Sequence, residues 1–100
     1  MTQSKLPEPT EVLDAVRAAL FKLLPPEDLA QVDLATLDET TPLLSLPVDS
    51  AVLMALMNEL EDTFSVFIEE EAAFSFAVLG DIPDYIRARI TGRAQRSGDT

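Results

Sequence analysis

Between residues 46 and 64 the apolar positions Leu53, Leu56, Met57, Leu60 and Phe64 recur at i, i+3, i+4, i+7 and i+11, the spacing of one stripe on an α-helix. Asp49 precedes the stripe as an N-cap, because its carboxylate can accept from the free backbone N–H groups of a first turn. Ala55, Asn58, Glu59 and Asp62 fall on the opposite face, with Glu61 on its flank and Ser50 at the helix entrance. The pattern therefore predicts a hydroxyl held on a rigid element and open to solvent. Leu13, Val16, Leu20, Leu23 and Leu24 predict an earlier helix, starting near Thr10 with Glu11 and Asp14 in its first turn and ending at Pro25-Pro26. At about 1.5 Å per residue it is roughly 22 Å long. Ile82, Tyr85, Ile86 and Ile90 predict a last helix over residues 81–91, with Asp81 as N-cap, Pro83 in the first turn and Gly92 as its stop. The run Glu69-Glu70-Glu71 before Ala72, Ala73, Phe74 and Phe76 predicts a short helix with carboxylates at its positive end.

Residues 25–48 are irregular, with Pro25, Pro26, Pro42 and Pro47 among Leu29, Val32, Leu34, Leu37, Leu43 and Leu46. This reads as an ordered loop laid over helix faces, with one short helical turn over residues 27–32. A strand at VDLATL is the alternative, although nothing else in the chain offers it a partner strand. The expected architecture is all-α: a four-helix bundle, three main helices plus one short, with a long first loop. Residues 1–9 read as a mobile lead-in, residues 10–92 as the domain and residues 93–100 as a frayed tail.

With 100 residues and 47% hydrophobic content, the chain suits a single domain with one modest core. It has no cysteine and no histidine, which removes thiolate chemistry and the commonest general base and metal ligand near neutral pH. Its three glycines, Gly80, Gly92 and Gly98, make no phosphate loop, and the three adjacent glutamates lack calcium-loop spacing, so no metal is expected. Asp49 and Ser50, adjacent at a helix start, point to different sides and do not form a base and nucleophile. No constellation for catalysis remains, and the chain reads as non-catalytic and acted on by other proteins. The longest apolar run, residues 51–57, is far short of the about 20 residues that span a bilayer. The amino terminus has no apolar segment of signal-peptide type, and a cytoplasmic monomer is expected. The net charge is −11, with fourteen acids and no Lys or Arg between residues 23 and 86. Such a field repels nucleic acid and anionic membranes and attracts basic protein patches. Arg87, Arg89, Arg93 and Arg96 gather near the carboxyl end, where they would complement the negative end of the last helix.

Thr41-Pro42-Leu43, Leu46 and Asp49-Ser50, followed without a gap by Leu56, Leu60, Glu61, Phe64, Ile68, Leu79, Tyr85 and Ile86, carry a resemblance over residues 40–86. This stretch resembles the acyl carrier proteins and related carrier domains of fatty acid, polyketide and nonribosomal peptide synthesis. The resemblance implies that Ser50, preceded by Asp49 of the motif, receives 4′-phosphopantetheine from coenzyme A, whose thiol carries acyl intermediates as thioesters. It also implies the partners: a phosphopantetheinyl transferase, and a ketosynthase, acyltransferase or acyl or aminoacyl ligase. Ser45 is the competing hydroxyl, without a preceding aspartate. Against the family pattern, Ala51 replaces a leucine, Pro47 stands where a glycine is usual and Ala55 replaces a glutamate. Ala51, Val52, Met54 and Ala55 thus make the upper helix apolar, while Glu59, Glu61 and Asp62 keep acidity lower down. These seven residues form the expected docking surface, suited to weak, salt-sensitive contacts with several enzymes. The departures favour a specialised pathway over housekeeping fatty acid synthesis. The expected function is a freestanding acyl carrier protein in polyketide or specialised fatty acid biosynthesis. The alternatives are a peptidyl or aminoacyl carrier of nonribosomal peptide synthesis and an unmodified acidic interaction module.

Overall fold

The computed structural model describes residues 6–99, with side chains as far as residue 92. Its helices are α1 (Pro9–Leu23), α2 (Pro26–Leu29), α3 (Ser50–Phe64), α4 (Glu70–Ser75) and α5 (Asp81–Asp99), with 3₁₀ turns at Leu34–Thr36 and Leu43–Ser45. The three main helices and the short α4 match the expected all-α class, and α2 adds one turn in the long first loop. VDLATL holds a 3₁₀ turn, begun by Asp33, whose carboxylate accepts from the Ala35 N–H.

Pro9 starts α1, where its missing N–H costs nothing, and the Glu8 N–H donates to Glu11 Oε1 at 3.0 Å. The buried side of α1 is Val12, Leu13, Val16, Ala19 and Leu20. Val12, off the expected stripe, is fully buried because α1 packs along α3 and also against α5, so its apolar face is wider than one seam. From α3 come Leu53, Leu56, Met57 and Leu60, and from α5 Ile82, Pro83 and Ile86. Each fully buried Leu or Ile in this core contributes roughly 1.5–3 kcal/mol before chain entropy is subtracted.

Several expectations are corrected. Asp81 does not cap α5: its carboxylate reaches backward to the N–H groups of Ala77 at 2.8 Å and Val78 at 3.2 Å, while the Gly80 carbonyl accepts from Asp84. Gly92 does not stop α5, because no glycine among the described residues takes the positive φ of a helix-ending turn. Pro7 is buried and its carbonyl accepts from Arg87 Nη1 at 2.6 Å, which fastens the described end of the lead-in to α5. The rest of the lead-in, residues 1–5, and the side chains of residues 93–100 lie outside the described residues. Arg87 and Arg89 sit within α5, and Arg89 lies over the Tyr85 ring at 5.8 Å, so neither serves its last turn.

The long loop is tied down by polar contacts as well as by buried Leu37, Leu43 and Leu46. Arg17 on α1 donates to the carbonyls of Leu34 at 2.9 Å and Leu37 at 2.6 Å, and to Asp14. An antiparallel bridge joins Pro42 to Val78, with Leu43 N–H to Ala77 O and Leu79 N–H to Thr41 O, both 2.9 Å. Gly80 N–H extends it to Glu39 O. Here glycine is required, since a Cβ would lie 2.9 Å from that carbonyl oxygen. No described helix is long and apolar enough to cross a membrane.

Candidate functional site

Ser50 is the first residue of α3 and is exposed. Asp49 caps the helix as expected: Oδ1 accepts from the Val52 N–H at 2.9 Å, and its carbonyl accepts from Leu53. The carboxylate is thus turned into the helix and makes no bond to the Ser50 hydroxyl. That hydroxyl, and the N–H groups of Ser50 and Ala51, have no hydrogen-bond partner among the described residues. Ser45 differs, since its hydroxyl donates to the Pro42 carbonyl at 2.7 Å inside a 3₁₀ turn.

Beside Ser50 lies an apolar cleft of about 200 Å³ between the Leu43–Ser45 turn, α3 and α4. Leu43, Val48, Leu53, Ala73, Phe74 and Phe76 line it, together with Leu44, Asp49 and Ser50. Leu44 is 95% exposed and Phe74 53%, so two large apolar side chains stand uncovered next to the serine. Phe76 is held edge-on against Tyr85, with ring centroids 5.7 Å apart, and the Tyr85 hydroxyl accepts weakly from the Glu69 N–H at 3.5 Å. A wider depression of about 390 Å³, near Glu39, Asp81 and Asp84, does not include Ser50. The cleft depended on the fold: Leu43 and Phe74 are 31 positions apart in sequence, and the Pro42–Val78 bridge and shared core packing bring their segments together.

The expected docking residues divide. Ala51 and Asp62 are exposed, whereas Val52 and Met54 are half-buried against the core and Ala55 is half-buried. Glu59 is paired with Lys22 Nζ at 2.8 Å. Glu61 accepts the Ile68 N–H at 2.8 Å, which makes it a fastening for the loop after α3. Asp62 is the one acid of the three without a partner among the described residues. Those residues hold no cluster of His, Cys, Asp or Glu able to hold a metal ion.

A comparison with curated proteins finds no match. The pattern of the family described as phosphopantetheine attachment site matches residues 26–86, more than half of the chain. That family carries covalently attached 4′-phosphopantetheine, and its carrier domains are modified by a phosphopantetheinyl transferase and visit biosynthetic enzymes. The chain's residues fit the group: an exposed hydroxyl with no internal partner stands at a helix start, where free N–H groups and the helix dipole favour a phosphate, beside an apolar cleft. An all-helical chain matched over this span belongs to the phosphopantetheine attachment site family, and is a phosphopantetheine carrier of the acyl-carrier-like kind.

Proposed function

We infer that Ser50 is the residue modified, within a carrier domain of about residues 10–92, and that the protein carries acyl intermediates in polyketide or specialised fatty acid biosynthesis. The observation that carries this reading is the Ser50 hydroxyl, exposed and unengaged at a capped helix start. In the modification step Oγ forms a bond to the phosphorus bearing pantetheine, the bond to the adenosine bisphosphate of coenzyme A breaks, and the hydroxyl proton leaves. Asp49 Oδ1 accepts from Val52 and the carboxylate makes no bond to the Ser50 hydroxyl, so the base for this proton is assigned to the transferase. Asp49 holds the first turn rigid, and the chain itself performs no catalysis. When bound, the group supplies a thiol for acyl groups. The apolar top of α3 supports a specialised pathway, because Ala51 and Ala55 leave its upper turns without acids. A cytoplasmic location fits partners that draw on coenzyme A.

Intact mass before and after incubation with coenzyme A and a broad-specificity transferase tests the site. The parent gains one phosphopantetheinyl group and Ser50→Ala gains none, with unchanged helical circular dichroism. Modification of Ser50→Ala would move the site elsewhere, and aminoacyl cargo on protein from its native host would shift the reading to peptide synthesis.

A further inference from the structure

We propose that Phe67, on the loop that follows α3, is an anchor by which the phosphopantetheinyl transferase grips the unmodified chain, with Asp62, Glu69 and Glu70 as its acidic rim. This rests on attachment at Ser50 as inferred above, and it sets a docking point at the opposite end of α3 from that serine. Val66 and Ile68 are buried and Phe67 between them is 61% exposed, so the loop sends two side chains into the core and one ring into water. That presentation is fixed. The Val66 N–H donates to the Glu61 carbonyl at 3.3 Å and the Ile68 N–H to Glu61 Oε2 at 2.8 Å, so the backbone on both sides of the ring is tied to the last turn of α3. Phe67 has no ring partner among the described residues. A ring on a backbone already in place loses little freedom when a partner covers it, so less of the gain from its burial is spent on ordering.

Charge says what covers it. Asp62 before the loop and Glu69, Glu70 and Glu71 after it are exposed, and none is ion-paired among the described residues. Arg89, over the Tyr85 ring, pairs with none of them. An apolar knob with a carboxylate rim fits an apolar socket with a cationic rim, and it repels a second copy of this chain, whose net charge is −11. The transferase meets that description, because it binds coenzyme A through phosphates that call for cationic side chains. It must also grip the chain before any arm exists to hold. The upper turns of α3 offer it little for that purpose, since Ala51 is exposed but small and Val52, Met54 and Ala55 are half-buried. Reach is sufficient. From Ser50 to Phe64 the helix rises about 21 Å at about 1.5 Å per residue, less than the about 30 Å across a small domain, so one enzyme domain can cover both ends.

The test is the kinetics of modification of the unmodified full chain by a broad-specificity transferase with coenzyme A, read by intact mass. Phe67→Ser should raise KM for the chain about ten-fold and leave kcat nearly unchanged, the pattern of a lost contact remote from the reacting oxygen. Glu69→Lys combined with Glu70→Lys should raise KM several-fold at low salt, an effect largely lost at about 1 M salt, where charges are screened within about 3 Å. Phe21→Ser removes a ring that is 69% exposed on α1, outside this acidic rim, and should leave KM unchanged. An unchanged KM in Phe67→Ser would overturn the anchor, as would a fall in kcat alone or an equal rise in KM in Phe21→Ser. Loss of helical circular dichroism in Phe67→Ser would overturn it too, because the ring would then serve the fold. A Ser50→Ala protein that gains the group would instead overturn attachment at Ser50 and leave the KM comparison standing, whereas a parent that gains none would overturn both.

Discussion

The α1–α3–α5 core and the Ser50 end of α3 are built by different means. In the core, buried stripes recur at helical spacing, and no buried side chain among the described residues is polar or charged. Around Ser50 the walls come from a loop, a 3₁₀ turn and the six-residue α4, anchored by buried Leu37, Leu43, Leu46 and Ala73 and by a few polar contacts: Arg17 to two carbonyls, Asp81 to two N–H groups, Glu61 to Ile68 and the Pro42–Val78 bridge. Packing of helix stripes thus dominates one region, and individually placed polar contacts shape the other. A carrier benefits from this division, since the site end can adapt to several enzymes while the core keeps Ser50 on a rigid helix.

Substitutions can break the contrast or sharpen it. Leu56→Ala, at a fully buried position, should cost about 2–5 kcal/mol and lower the melting temperature of the whole domain. A drop confined to residues near Ser50, seen by hydrogen exchange, would contradict a single core. Arg17→Met keeps the apolar stem and removes the donors to Leu34 and Leu37, at a cost of about 1–3 kcal/mol. Its signature is local: faster amide exchange over residues 34–46 with α3 protection retained. Equal acceleration in α3 would mean that loop and core unfold together.

Charge reversal separates docking from structure. Asp62→Lys should change stability by less than about 0.5 kcal/mol and slow modification by a transferase at low salt. Glu61→Lys should lower stability by about 1 kcal/mol, because the Ile68 N–H loses its acceptor. If Asp62→Lys leaves the rate at low salt unchanged, the lower end of α3 is not a docking surface. The smallest effect concerns pH. The Thr40 hydroxyl, and then its N–H, hold the exposed Asp38 carboxyl below the usual aspartate value. Its contribution is present above the unfolded-state value of about 4 and is lost as pH falls through the lower folded one. The Thr40 amide signal should report a transition below pH of about 4, and Asp38→Asn should remove it.

The difference between the regions also governs how much of the molecule was legible in its sequence. The stripes of α1, α3 and α5 and the Asp49 cap are local patterns, and the structure holds them nearly where periodicity put them. Polar side chains misled where their partners lie off their own element. Asp81 looked like a cap, yet it secures backbone in the adjoining loop, and Glu61, expected in docking, also holds the Ile68 N–H. The end of α3 gave no warning, because Ser65 takes the left-handed conformation, with φ of 54°, that usually announces itself as glycine.

By itself, then, the sequence determined the helices, their buried faces, an exposed serine behind a capping aspartate, and the exclusion of thiol and histidine chemistry. Those follow from side-chain type and spacing within a few turns. Only the tertiary structure decided that residues 39–43 pair with residues 77–80, that Arg17 clamps the loop and that an apolar cleft opens beside Ser50. The physical reason is that a backbone hydrogen bond between distant segments carries no side-chain signature. A cleft has none either, because it is the space left where those segments fail to fill the gap.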